Sequence, residues 1–179
     1  KGTAVNDRIG HGQDSLEVLG SLSLYQEAYK RKSYAEAIEP WTFVFEKAPL
    51  SQVRIYKDGA WIFEQLIQQE SDATKKKEYF DTLMKIYDQR LKYMDALNSF
   101  SSEKDQSSKG GILCRKAYDS YFFNPTPNVE NSYTMFKEGI NDTGNDTEGF
   151  GLYGFMQLSD ARYKANNEKY REDYINDYL

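Results

Sequence analysis

From Val18 onward the apolar residues return at gaps of three and four, and nowhere do they alternate in twos between hairpin turns. A 3.6-residue period builds helices and a two-residue period builds strands, so this pattern predicts helices throughout. The first run is Val18, Leu22, Tyr25 and Tyr29, opened by Asp14 and Glu17 as a capping-box-like start. A second start at Ser33 and Glu36 opens Tyr34, Ala37, Ile38, Trp41, Phe45 and Ala48. Pro40 inside this run removes one backbone hydrogen bond and predicts a bend, and Pro49 ends the helix. The third run carries two adjacent stripes, Ile55/Gly59/Ile62/Leu66 and Tyr56/Ala60/Phe63/Ile67, which predicts a helix packed on two sides. Ser71 and Asp72 restart the chain for a long fourth helix through Phe80, Leu83, Met84, Tyr87, Leu91 and Met94, ending near Phe100.

Residues 101–111 contain no apolar side chain and close on Gly110-Gly111, the largest break in composition, and are expected to form a loop. Beyond it, Leu113, Ala117 and Tyr121 predict a fifth helix. Thr126 as cap and Pro127 at the first helical position open Val129, Tyr133, Phe136 and Ile140. After a second loop, NDTGNDTEG, come Leu152, Phe155, Leu158 and Ala165, and finally an apolar stripe of Tyr170, Tyr174, Ile175 and Tyr178. Residues 1–13, Gly-rich and polar, are expected to form a flexible arm. The reading is all-α: eight helices joined as four antiparallel pairs.

Composition narrows the function. The 179 residues are 39% hydrophobic, enough for a real core. A net charge of -5 argues against nucleic acid as the partner, which needs a basic surface. No apolar run approaches the roughly 20 residues of a membrane-spanning helix. The single cysteine, Cys114, can neither staple its own chain nor build a thiolate zinc site. The 15 tyrosines suit half-exposed packing surfaces and grooves.

Self-similarity says more. Tyr29-Lys30-x-x-x-Tyr34-Ala35-Glu36-Ala37-Ile38, with Pro49 twelve residues after Ala37, resembles the middle and end of a tetratricopeptide repeat. Ile55, Gly59 and Ile62 continue in register as the next first helix, whose partner is delayed by an insertion around Gln68–Lys77. Leu158-x-x-x-x-Tyr163-Lys164 echoes Leu24-x-x-x-x-Tyr29-Lys30 in the last pair, and the third pair matches least. The segments VRIYKDGAWIF and DTLMKIYDQRLKYMDAL also resemble a subgroup of such proteins from Gram-negative cell envelopes, where the array usually runs on beyond this length.

The resemblance implies a right-handed superhelical α-solenoid of about four helix pairs over residues 14–179, one domain or the N-terminal part of a longer array. It implies a non-catalytic scaffold without cofactor, in the periplasm or envelope, that holds a protein or peptide on a concave Tyr-rich groove. By repeat register that groove is lined by Gln26, Tyr29, Lys30, Tyr56, Lys57 and Phe63. Two rivals stand beside it: a structural part that self-associates, for instance through the C-terminal helix, and a nucleotide-binding enzyme using Gly149–Gly154.

The motifs that carry chemistry are thin. Gly149-Phe150-Gly151-Leu152-Tyr153-Gly154 fits G-x-G-x-x-G, but a dinucleotide site needs a preceding β-strand, and NDTGNDTE reads as none. Asp142, Asp146 and Glu148 offer oxygens for Ca²⁺, yet Gly144 and Tyr153 stand where an EF-hand requires ligands. His11, the only histidine, lies between two glycines of the arm, so Cys114 has no partner for a Cys–His pair; Arg115 and Lys116 beside it offer charges that lower a thiol pKa, but a packed, inert thiol is expected. Asp58 with Glu64, and Glu36 with Glu39, read as solvated helix faces. Asn141 and Asn145 match the glycosylation acceptor pattern, which matters only in a eukaryotic secretory setting. Leu22 and Gln26 occupy the places where chaperone-binding repeats hold their carboxylate clamp, so that clamp is absent.

Overall fold

The computed structural model describes residues 8–179. Every regular element among them is helical. The chain divides into two compact units, residues 1–106 and 107–179.

The first unit holds α1 (Gln13–Lys30), α2 (Tyr34–Lys47), α3 (Arg54–Gln69) and α4 (Ala73–Ser99). Each helix packs on the next in sequence, and the short connections make neighbours antiparallel. The turn from α1 to α2 is a Schellman motif: Ser33 N–H donates to the Ala28 carbonyl at 2.9 Å and Lys32 N–H to that of Tyr29 at 3.0 Å. Lys32 takes the left-handed conformation, φ 60°, that such a turn requires. α2 runs unbroken through Pro40. Both stripes of α3 are buried from end to end, Ile55, Gly59, Ile62 and Leu66 on one, Tyr56, Ala60, Phe63 and Ile67 on the other. That is the two-sided packing expected of so wide an apolar face, and α3 lies between α2 and α4.

Several boundaries differ from expectation, each for a local reason. α1 starts at Gln13 with Gly12 as its cap, so Asp14 lies inside the first turn instead of capping it. The residues expected to delay α4 form no long loop. α3 continues to Gln69, Glu70–Asp72 make the connection, and Asp72 caps α4 by accepting the Lys75 N–H at 2.8 Å. Of the arm expected over residues 1–13, residues 1–7 lie outside the described residues. Ile9 is buried and the Arg8 guanidinium stacks 4.7 Å from the Phe100 ring centroid, so the chain is docked before α1 begins.

The second unit holds α5 (Lys109–Phe122), α6 (Val129–Thr143), α7 (Gly149–Ala165) and α8 (Asn167–Asp177). The cap of α6 is Asn128, which accepts the Asn131 N–H at 3.0 Å; Pro127 precedes the helix and Thr126 belongs to the turn. Cys114, Ala117, Tyr133, Phe136, Phe155 and Leu158 form the core. Gly110, expected in the loop, lies inside α5 and touches Gly139 of α6, where neither helix has room for a Cβ. The α8 stripe is only half engaged, with Tyr170 and Tyr174 facing inward. Ile175 and Tyr178 are exposed at 50% and 58%, and the inward contacts come from Tyr170, Asp173, Tyr174 and Asp177.

Candidate functional site

The groove residues expected on the first unit separate into two groups. Tyr56 and Phe63 are 1% and 2% exposed and form core, not groove. The Tyr56 hydroxyl donates to the Pro49 carbonyl at 2.9 Å and receives the Gln89 amide at 3.4 Å. Phe63 sits edge-on to Trp41 at 5.3 Å and to Tyr79 at 5.8 Å. It helps floor a shallow cleft of about 260 Å³ between α2 and α4, rimmed by Glu46, Glu78 and Lys85. The physical reason is the double stripe: with both faces of α3 engaged by neighbouring helices, the stripe assigned to the partner was already occupied.

The other four stay accessible. Gln26 and Tyr29 on α1 are half-buried, and Lys30 and Lys57 are exposed. What remains of the α3 surface is a third stripe, Arg54, Lys57, Trp61, Glu64 and Gln68, with Trp61 at its centre and 45% exposed. The Trp61 indole N–H donates to the Tyr34 hydroxyl at 3.1 Å, and Tyr29 meets Tyr34 edge-on at 6.2 Å. Three aromatics from α1, α2 and α3 thus make one partly open cluster. Trp61 was missed in the sequence, although it had a signal: one of only two tryptophans, it falls off both apolar stripes of its helix.

Beneath the cluster lies a carboxylate that the spacing of acids did not reveal. Asp58, read as solvated, is 6% exposed. It accepts Arg54 Nε at 2.9 Å and faces the Tyr25 hydroxyl at 3.5 Å, joining α3 to α1. Burial raises its pKa, opposed by Arg54. Burial also pushes the Tyr25 phenol up to about 12 and raises that of Tyr29, with Asp58 adding to both. These groups are spent on one another. The arrangement fixes a tyrosine–tryptophan surface with Arg54 and Lys57 on the same stripe of α3 as Trp61.

In the second unit the remaining motifs turn out to be packing devices. No strand precedes Gly149, which is the first residue of α7. Gly151 and Gly154 are buried where a Cβ would meet Cys114 at 3.3 Å and the Phe136 ring at 2.5 Å. The glycine spacing therefore serves a close helix crossing and lacks the strand that a dinucleotide fingerprint needs. Asp142 accepts the Gly110 N–H at 2.7 Å and Glu148 pairs with Arg115 at 3.0 Å, so two of the acids considered for Ca²⁺ already hold α5. Among the described residues no three His, Cys, Asp or Glu side chains group as a metal site. Cys114 is buried, and its thiol is pushed up to about 11 by burial and then by Glu148. This is the packed thiol expected of the position; Arg115 does not offset the burial, because its guanidinium turns to Glu148 and the Phe150 ring.

Among the described residues no helix is long and apolar enough to cross a membrane. No family model, no curated protein and no solved structure matches the chain.

Proposed function

We propose that the chain is a non-catalytic protein-docking module built of tetratricopeptide-like helix pairs, and that its working face is the outward surface of α1 and α3 around Trp61. The observation that carries this reading is Trp61 itself. A large indole stands 45% exposed at the centre of a stripe, between Lys57 and Glu64, and is held in place by its hydrogen bond to Tyr34. A pre-positioned aromatic loses little freedom when a partner covers it, and tryptophan and tyrosine are over-represented among residues that dominate binding energy. Lys57, exposed one turn before Trp61 on the same stripe, favours a partner segment that carries an acidic side chain. The same family resemblance extends the proposal to a Gram-negative envelope location, which fractionation of the native host would test.

The experiment is affinity capture with the intact chain, identification of the recovered protein, and titration of that protein against Trp61→Ala and Tyr56→Ala. Trp61→Ala is expected to weaken binding by about tenfold or more while leaving the thermal unfolding curve in place. Tyr56→Ala should instead lower stability, since it opens the core. Unchanged binding by a folded Trp61→Ala chain would remove this face as the docking site.

A further inference from the structure

α8 is held in an unusual way, for none of its residues is buried as a whole. It is held through polar and aromatic contacts along Tyr170, Asp173, Tyr174 and Asp177, one helical stripe. The seat beneath is made by α6 and α7. The Asp177 side chain, 2% exposed, accepts the Tyr133 hydroxyl at 2.8 Å and the Ser159 hydroxyl at 2.5 Å, with Lys137 Nζ at 3.5 Å. Asp173 accepts Arg162 Nη2 at 2.9 Å. Arg162 is 7% exposed, lies 3.7 Å from the Tyr133 ring centroid and 4.3 Å from that of Tyr170, and also donates to Glu130. Tyr174 stacks on Tyr163 at 4.5 Å.

The seat is therefore a receptor for two carboxylates one helical turn apart, flanked by tyrosines. Only Asn166 joins α8 to α7, at φ -157° and ψ 91°. If that one residue turned helical, α7 and α8 would run on as a single rod and α8 would leave its seat. Every contact described between α8 and the seat would be restored by the same helix arriving from another molecule. Domain swapping is a low-cost route to dimers, and short hinge loops invite it.

We propose that the Tyr133–Lys137–Ser159–Arg162 seat accepts α8 of a second copy of this chain, so that two copies dimerise by exchanging α8. The occupant is specified by complementarity: the seat matches the Asp173/Asp177 stripe that the chain itself carries.

Two measurements on the full chain test this. In sedimentation velocity, the dimer fraction should rise with protein concentration. Asn166→Ala should raise the dimer fraction several-fold, because it favours a helical hinge and removes the α8 cap that only the closed form needs, while the seat contacts are the same in both forms. In the second, Ser159→Cys chains are mixed with Asp177→Cys chains and oxidised; Cys114 is buried in both. A covalent dimer that forms in the mixture in higher yield than in either variant alone is expected. A monomer at every concentration overturns the proposal. So does a dimer that yields no excess of mixed disulfide, since it would use another surface.

Discussion

The indole ring of Trp41 occupies the space in which Gly59 would carry a side chain. A Cβ built on Gly59 falls 2.5 Å from Trp41 Cζ2. The ring cannot yield easily, because its N–H donates to the Ile55 carbonyl at 2.8 Å and it stacks on Phe45 at 4.7 Å. The small residue on α3 thus sets how closely α2 approaches.

Gly59→Ala should destabilise the chain despite alanine's better helix propensity. Overpacking of this kind costs about 1–3 kcal/mol, and the propensity gain of about 1 kcal/mol offsets only part of it. Gly20 in α1 is the control, for its Cβ would meet nothing within 4 Å. Gly20→Ala should stabilise by about 0.5–1 kcal/mol. Urea unfolding of the two variants should therefore move in opposite directions; a shift in the same direction would show that Trp41 repacks freely.

Cys114 should behave as core. With its thiol buried and its pKa pushed up to about 11, almost no thiolate exists at neutral pH. An aromatic disulfide reagent should leave the native chain unlabelled and react at once in urea. Rapid labelling of the native protein would mean that the Gly110–Gly139–Cys114 crossing opens easily.

The helices were legible in the sequence because each apolar stripe repeats locally, and α3 announced its double burial by carrying two. Which of its stripes meets another helix was not legible. Tyr56 and Phe63 look alike whether they serve a core or a groove, and only the position of α4 decides. Trp61 was the readable exception, an aromatic off both stripes. The seat of α8 was hidden for another reason. The apolar pattern included Tyr170 and Tyr174 but did not separate them from the exposed Ile175 and Tyr178. The contacts instead depend on Asp173 and Asp177 meeting Arg162 and Lys137 from other helices, and long-range charge pairing leaves no local period.

Asp58 gives a pH prediction for the first unit. Its folded pKa is raised by burial above the ordinary 3.8, so in the folded state it holds its proton more tightly than in the unfolded chain. Folding stability from this group therefore falls as pH rises from 3.8 through its raised folded value, and the penalty is complete above it. Asp58→Asn cannot ionise. Its stability relative to the parent should be greater at pH about 7 than at pH about 3. Both tryptophans, Trp41 and Trp61, lie in this unit, so their fluorescence during urea unfolding reads it selectively. The reverse trend would show that the Arg54 ion pair outweighs burial.

Glu130 in the second unit should show the opposite sign. The Arg162 guanidinium lowers its folded pKa below the ordinary 4.5, against a smaller effect of burial. Its contribution is thus fully present above the unfolded carboxylate value and is lost as pH falls through 4.5 toward the lowered folded value. Its side chain is 52% exposed, so solvent screening limits the gain at neutral pH to about 1 kcal/mol or less. Glu130→Gln should cost stability at neutral pH and nothing in strong acid. Hydrogen exchange of the α6 and α7 amides, followed against pH, reads this unit without interference from the tryptophans. A Glu130→Gln deficit that stays constant into strong acid would mean that the contribution comes from packing of the side chain beside Arg162 and not from its charge.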